Sequence, residues 1–213
     1  MVYMIFICII APMLLMLFLL DKQPRTLVIF MIMGMLVCVC ACEIDSGLYA
    51  LSNMTQNDFT VYVTPICEEI LKAMPVLFFA LLISDKTKNI ITVAISVGIG
   101  FAIMENMYFL VINYDNISFG WVFIRGFAVA VMHSICTATV GYGTVYIYKK
   151  KKLFYTGIFG LLCCAITYHS IYNMIVQTLY SYIAYIMPVV TYLIGIAVIK
   201  HKEIKSLIKR KNK

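Results

Sequence analysis

Long apolar stretches, separated by short polar segments, make up most of this 213-residue chain. A helix needs about 20 mainly apolar residues to cross a hydrocarbon core of roughly 30 Å, and seven stretches approach that length. The pattern therefore predicts an all-α, polytopic membrane bundle of about seven transmembrane helices. The predicted spans are Val2–Leu20, Thr26–Cys42, Val63–Ser84, Asn89–Ile112, Phe119–Tyr148, Leu153–Leu179 and Tyr182–Lys200.

The composition agrees with a membrane protein. Hydrophobic residues make up 63% of the chain and charged residues only 13%, which excludes a soluble globular domain of this length. The chain has no internal repeat, low-complexity block or Pro/Gly/Ser linker. We therefore predict a single integral membrane domain over residues 1–213, with the helices that carry the chemistry between about residues 63 and 179.

The distribution of basic residues predicts the orientation. Of the 17 Lys and Arg, only Lys72 and Arg125 lie outside four basic segments. Those segments are Asp21–Arg25, Asp85–Lys88, Lys149–Lys152 and Lys200–Lys213. With seven spans they all fall on one side, so the positive-inside rule predicts an N-terminus outside and a C-terminus in the cytoplasm. The net charge of +7 is then a topology signal and indicates the lipid bilayer, and no nucleic acid, as the partner.

A few ionisable and amide side chains interrupt the apolar stretches. They are Glu68, Glu69, Lys72, Glu105, His133, His169 and Asn173. Such groups cost free energy in lipid and therefore mark functional sites. Counted from the predicted span ends, they fall at one level in the outer half of the bundle, with the glutamate pair roughly 8 Å deep.

Spacing indicates which of these side chains share a helix face. Glu68 and Glu69 lie four and three residues before Lys72, so the lysine can reach back to a carboxylate. The four-residue spacing of His169 and Asn173 places their side chains on one face as well. We therefore predict a polar pocket between helices. Arg125, near the outer interface, either joins this pocket or extends toward the lipid headgroups.

Four motifs follow one another in the central half of the chain. They are Glu68-Glu69-Ile70-Leu71-Lys72, Phe101-Ala102-Ile103-Met104-Glu105-Asn106, His133, and His169-Ser170-Ile171-Tyr172-Asn173. In this order they resemble the PrsW family of intramembrane proteases, which is related to the CAAX-processing and bacteriocin-immunity membrane proteases. The related families share EExxK/R, Fxxx(E/H) and HxxxN-like motifs. The glutamate at position 105 is typical of PrsW-like members, whereas the prenyl-protein branch has histidine. The resemblance implies an intramembrane endopeptidase in the bacterial cytoplasmic membrane.

The resemblance also implies catalytic roles on the first two motifs. Glu68, helped by Glu69 and a histidine, is expected to orient and deprotonate the water that attacks a peptide carbonyl. Lys72 is expected to hold the acidic pair in place without reacting, and Asn106 to support the second motif. These assignments make the protein a glutamic-type protease.

The remaining motif residues are expected to handle the oxyanion and the second proton transfer. His169 and Asn173 would stabilise the oxyanion that develops on the peptide carbonyl. Glu105 and His133 would complete the shell around the water or return a proton to the leaving amine. With the glutamate pair, these four residues complete the predicted catalytic set.

Metal binding is an alternative role for the same residues. Glu69, Glu105, His133 and His169 offer the carboxylate and imidazole ligands that zinc binds. The chain has no HExxH motif, and the ligands come singly from separate helices, so their spacing gives no support for a metal. The sequence therefore favours catalysis without a cofactor, with zinc as the alternative.

Two other function classes are open to such a chain. A proton- or ion-coupled transporter needs polar residues at successive depths, and the inner half of each predicted helix is almost bare. A non-catalytic membrane scaffold or immunity protein would keep the fold without turnover. For a protease, the shallow level of the cluster predicts cleavage of a single-span membrane protein near the extracytoplasmic face. A membrane-bound anti-sigma factor is the example that the PrsW resemblance suggests.

Overall fold

The protein was analysed as a computed structural model, which describes residues 2–113, 115, 117–145 and 151–211. Side chains are not described for residues 2, 151–155, 198–200 and 202–211. The predicted end of the fifth span at Tyr148 lies outside the described residues, and so do Lys149 and Lys150 of the predicted basic loop. Within the described part of the chain, the secondary structure is helical and no strand forms.

The described part of the chain contains eight helices, numbered in chain order. They are α1 (Val2–Met16), α2 (Lys22–Leu51), α3 (Gln56–Tyr62), α4 (Thr64–Leu82), α5 (Thr87–Ile112), α6 (Phe119–Thr144), α7 (Lys151–Val176) and α8 (Ser181–Lys211). Each of the seven predicted apolar stretches overlaps one of these helices. The all-α fold class is confirmed.

Four of the helices are long and apolar enough to cross a membrane: α2, α5, α6 and residues 156–176 of α7. The apolar parts of α1 and α8 are shorter. Helix α4 has 19 residues, but the charged side chains of Glu68, Glu69 and Lys72 interrupt its apolar sequence. The number of spans and the orientation of the termini therefore stay predictions.

The segment between the second and third predicted spans differs most from the sequence-based prediction. Helix α2 continues past Cys42 to Leu51. The residues after Cys42 include polar ones, and a helix can continue through polar residues without apolar surroundings. Helix α3 was not predicted at all. Thr55 begins it as the N-cap, since its Oγ1 accepts a hydrogen bond from the Asp58 backbone N–H at 3.2 Å. Helix α3 packs against α4 and α7.

Helix α5 lies at the centre of the bundle and packs against α2, α4 and α6. Two of its glycines allow close approaches between helix backbones. A Cβ at Gly98 would lie 2.7 Å from the backbone oxygen of His133 on α6, and a Cβ at Gly100 would overlap the backbone oxygen of Met31 on α2. The Gly98 contact fixes α5 against α6, the helix that carries His133.

Candidate active site

Helix α4 contributes two carboxylates and an ammonium group to a buried cluster. Pro65 lies in the first turn of α4, where its missing N–H costs no hydrogen bond. Two turns later, the Lys72 Nζ donates to Glu69 Oε1 at 2.6 Å and lies 3.7 Å from Glu68 Oε2. Glu69 and Lys72 are fully buried. The predicted contact between the lysine and the acidic pair is confirmed.

Helices α5 and α6 supply the second part of the cluster. The His133 Nε2 lies 2.6 Å from Glu105 Oε2, and because an ionised carboxylate only accepts, Nε2 carries the proton. The other oxygen of Glu105 accepts from Arg125 Nη2 at 2.9 Å. Of the two roles that the sequence left open for Arg125, the structure supports membership of the pocket. Its guanidinium also stacks 3.9 Å from the centre of the Phe109 ring.

The free nitrogen of His133 faces α4. Its Nδ1 accepts a hydrogen bond from Lys72 Nζ at 2.7 Å. Phe101, the first residue of the second motif, packs under both groups, with its ring 4.8 Å from the His133 ring and 4.3 Å from the Lys72 nitrogen. This buried aromatic side chain forms an apolar wall that holds the lysine and the imidazole in contact.

Helix α7 brings His169 to the opposite side of the acidic pair. Its Nδ1 donates to Glu69 Oε1 at 2.9 Å, and its Nε2 lies 3.9 Å from Glu68 Oε2. The rings of His169 and His133 lie 5.0 Å apart and nearly perpendicular. The two imidazoles therefore both border the space in front of Glu68.

Together these contacts form one continuous chain across four helices. It runs in the order Arg125, Glu105, His133, Lys72, Glu69 and His169, and ends beside Glu68. Among the residues that the structure describes, the buried titratable side chains in helices α4 to α7, other than cysteine and tyrosine, are all members of it. The prediction that they meet in one pocket agrees with this geometry.

The same geometry allows a test of metal binding. Ligand atoms of Glu68, His133 and His169 all lie within 4.8 Å of one another. Ligands about 2.1 Å from a tetrahedral zinc ion are roughly 3.4 Å apart, so binding requires shifts on the order of 1 Å. The buried Glu68 Oε2 has no hydrogen-bond partner in the described part of the chain. The donor set fits a metal ion.

The surroundings of the two imidazoles support this fit. A metal-ligating histidine usually donates its other ring N–H to a carboxylate or a carbonyl. Here His133 donates to Glu105 and His169 donates to Glu69, which leaves His133 Nδ1 and His169 Nε2 as lone-pair donors. The Lys72 ammonium donates to His133 Nδ1, so this nitrogen can bind a metal ion only when the ammonium turns away from it and toward Glu69.

Two of the predicted residues lie apart from the cluster. Asn173 donates from Nδ2 to the backbone oxygen of Thr60 on α3 at 3.0 Å, so its amide is used to hold α3 against α7. Asn106 is half-buried, and its Oδ1 has no hydrogen-bond partner among the described residues. Tyr172 was not predicted as a site residue, although its position three residues after His169 on α7 indicates a shared face.

The comparisons with known proteins agree with the site. The family model "PrsW family intramembrane metalloprotease" matches residues 22–199, which is most of the chain. Searches of curated proteins and of solved structures gave no match. Because the family is described as metalloproteases, the expectation of catalysis without a cofactor is not supported, and the zinc alternative is. The chain belongs to the PrsW family of intramembrane metalloproteases.

Proposed function

We propose that the protein is a zinc-dependent endopeptidase that cuts a single-span membrane protein near its extracytoplasmic face. The observation that carries the proposal is the pairing of each imidazole with its own carboxylate around Glu68. Glu68, His133 and His169 would hold the ion, a combination of one carboxylate and two imidazoles that catalytic zinc sites use. When bound, zinc supplies Lewis-acid activation of the water and of the peptide carbonyl.

The proton transfers are assigned to Glu69, the acidic group that remains after Glu68 and Glu105. Both oxygens of Glu105 are occupied, one by Arg125 and the other by His133. Glu69 uses Oε1 for Lys72 and His169, whereas its Oε2 is buried and has no partner among the described residues. Glu69 Oε2 would therefore accept a proton from the attacking water and pass it to the leaving amine nitrogen.

Two cations keep these groups in place. The Lys72 ammonium neutralises Glu69 and holds its carboxylate in one orientation. Arg125 does the same for Glu105, which in turn fixes the tautomer of His133. The side chains of Glu105 and Arg125 are 20% and 14% exposed, whereas that of Glu69 is fully buried. Substrate would therefore enter from the side of Glu105.

The substrate and the cellular location follow from the family and the predicted topology. A bundle in the bacterial cytoplasmic membrane, with its site near the outer surface, would meet the juxtamembrane segments of single-span proteins. A membrane-bound anti-sigma factor is the substrate class that the resemblance to PrsW suggests. The same predicted orientation favours cleavage outside the cytoplasm.

Transport is less well supported. The buried hydroxyls of Ser96, Thr137 and Thr144 donate to backbone carbonyls of their own helices. Among the described residues, they offer no chain of titratable groups from the cluster to the other end of the bundle. A proton relay across a membrane needs such a chain. A non-catalytic scaffold would have no need for the paired imidazoles and carboxylates.

Cleavage of a reporter tests the proposal. The purified protein in nanodiscs would be incubated with single-span reporters that carry varied outer juxtamembrane sequences. We expect cleavage by the wild type, with losses of about 10²- to 10⁴-fold for Glu69→Gln. His169→Ala is expected to lose bound zinc, measured by elemental analysis. His201→Ala, in the C-terminal helix, is the matched control and should keep both zinc and activity.

Chelation separates the metal from the glutamate mechanism. Treatment with 1,10-phenanthroline should abolish cleavage and added zinc should restore it, whereas the non-chelating 1,7-isomer should have no effect. Persistent cleavage in a preparation free of metal would contradict zinc dependence and return the mechanism to the glutamates alone. Full activity of Glu69→Gln would contradict the assigned base.

A further inference from the structure

The Tyr172 hydroxyl is a buried hydrogen-bond donor to which the proposed mechanism gives no role. Tyr172 on α7 is 3% exposed, and its hydroxyl has no hydrogen-bond partner among the described residues. An unsatisfied buried hydroxyl destabilises the fold, so a protein rarely keeps one without a use. A phenylalanine would pack in the same space without this cost.

Tyr172 packs on the side of the site from which substrate would enter. It follows His169 by three residues, so both side chains lie on one side of α7. Its ring belongs to a core cluster that includes Ala102 and Val129. Ala102 lies three residues before Glu105 on α5, and Val129 lies four residues after Arg125 on α6, so this cluster borders the helix faces that carry the Glu105–Arg125 pair. The apolar contacts therefore hold the tyrosine in position next to that pair.

Peptide hydrolysis needs a donor at this edge. Attack of water places negative charge on the carbonyl oxygen, and enzymes stabilise that charge with preorganised hydrogen-bond donors. The donors expected from the sequence are both occupied, since Asn173 binds Thr60 and the His169 Nδ1–H binds Glu69. Arg125 Nε also has no hydrogen-bond partner among the described residues, whereas Nη2 of the same guanidinium donates to Glu105, so this arginine is a second donor on the same side.

We propose that Tyr172 is a further catalytic residue, whose hydroxyl donates a hydrogen bond to the carbonyl oxygen of the scissile peptide bond. The inference rests on the proposed function. In the reaction, the water oxygen bonds to the carbonyl carbon, the carbon–nitrogen bond breaks, and one water proton travels through Glu69 to the amine. The Tyr172 O–H bond stays intact throughout. The hydrogen bond strengthens as charge develops, so it lowers the barrier more than it tightens substrate binding.

The test compares two tyrosines that lie one turn apart on the same helix. Tyr172→Phe removes the unpartnered hydroxyl, and Tyr168→Phe removes one that donates to Thr191 Oγ1 at 2.9 Å. With a fluorogenic single-span reporter that the wild type cleaves, we expect kcat to fall about 10²- to 10³-fold in Tyr172→Phe while KM stays nearly constant. Tyr168→Phe should keep the wild-type kcat, and both variants should retain their zinc.

Binding of a tetrahedral mimic gives a second readout. A phosphinic peptide with the reporter sequence should bind the folded Tyr172→Phe protein more weakly than the wild type, by a factor similar to the loss in kcat. Wild-type kcat, or equal phosphinic affinity, in Tyr172→Phe would overturn the role of Tyr172 and leave the protease proposal standing. A wild-type protein that cleaves no reporter would instead refute both.

Discussion

At the scale of single residues, Lys72 balances the charge of the site. Its ammonium is fully buried and contacts Glu69 and His133. Removal of one partner of a buried ion pair leaves the other charge uncompensated and costs about 3 to 5 kcal/mol. We expect Lys72→Met to lower the free energy of unfolding by that amount, measured by denaturant titration in detergent.

Two companion variants make the Lys72 result specific. Lys88→Met, at an exposed position of α5, should have the stability of the wild type. The double variant Lys72→Met/Glu69→Gln should recover part of the loss, because it removes the buried carboxylate as well. Unchanged stability of Lys72→Met would show that the charge of Glu69 is compensated in another way.

Arg125 is expected to act on the site through Glu105. Its Nη2 holds one oxygen of Glu105 while the other oxygen accepts from His133, so the arginine keeps the imidazole oriented. Loss of such an outer partner typically costs 10- to 100-fold in metal affinity or activity. We expect Arg125→Gln to weaken zinc binding by about that factor, measured by competition with a chromophoric chelator.

Arg25, on α2, provides the control for Arg125. Arg25 donates to the backbone oxygen of Leu20 and has no contact with the cluster, so Arg25→Gln should bind zinc normally. Arg125→Lys keeps the charge but not the fork geometry, and should fall between the wild type and Arg125→Gln. Wild-type zinc affinity in Arg125→Gln would rule out this positioning role.

How far the sequence predicts such contacts depends on whether they lie on one helix. The pair of Lys72 and Glu69 follows from their three-residue spacing alone. The contact of Lys72 with His133 does not, because it depends on how α4 and α6 rotate about their own axes. Asn173 shares a face with His169, as spacing predicts, but its amide binds Thr60 on a helix that the apolar pattern does not reveal.

At the scale of helices, the close contact of α5 with α6 positions His133. A Cβ at Gly98 would lie 2.7 Å from the His133 backbone oxygen and 2.8 Å from the Ser134 Cα, so Gly98→Ala must push the two helices apart. Overpacking of this kind costs about 1 to 3 kcal/mol. We expect Gly98→Ala to lower the melting temperature in detergent and to reduce reporter cleavage, because His133 moves away from Glu105.

Gly126, which lies on α6, provides the matched control for Gly98→Ala. A Cβ at Gly126 would have no atom within 4 Å, so Gly126→Ala should keep activity and gain up to about 1 kcal/mol from helix propensity. Equal behaviour of the two variants would contradict the importance of the α5–α6 contact for the site.

The helices themselves were largely predictable, and the exceptions have a physical reason. Apolar stretches of membrane length form helices because lipid offers no other partner to the backbone. Helix α3 and the end of α2 are polar, so no apolar pattern marks them. Helix α3 is held by the Thr55 cap and by the long-range hydrogen bond from Asn173, and neither contact leaves a mark in the apolar pattern.

At the scale of the whole molecule, the position of the site relative to the membrane decides which substrates it can reach. The Glu105 end of α5 and the start of α4 lie near the loops at residues 52–55 and 113–118, which contain no Lys or Arg. The loops at residues 17–21 and 83–86, with the residues that flank them, carry Lys22, Arg25, Lys86 and Lys88. The positive-inside rule therefore predicts that the site lies toward the outer surface.

Recognition sequences for a site-specific protease, inserted singly into the full chain, test this orientation. A sequence after Asn53 or after Ile117 should be cut in intact spheroplasts, because both loops are predicted to lie outside. A sequence after Asp85 should be cut only in inverted vesicles, and zinc content would verify that each insertion leaves the site assembled. The reverse pattern would place the site at the cytoplasmic face, so the substrate would have to present its inner juxtamembrane segment, while the metal-binding geometry would stand unchanged.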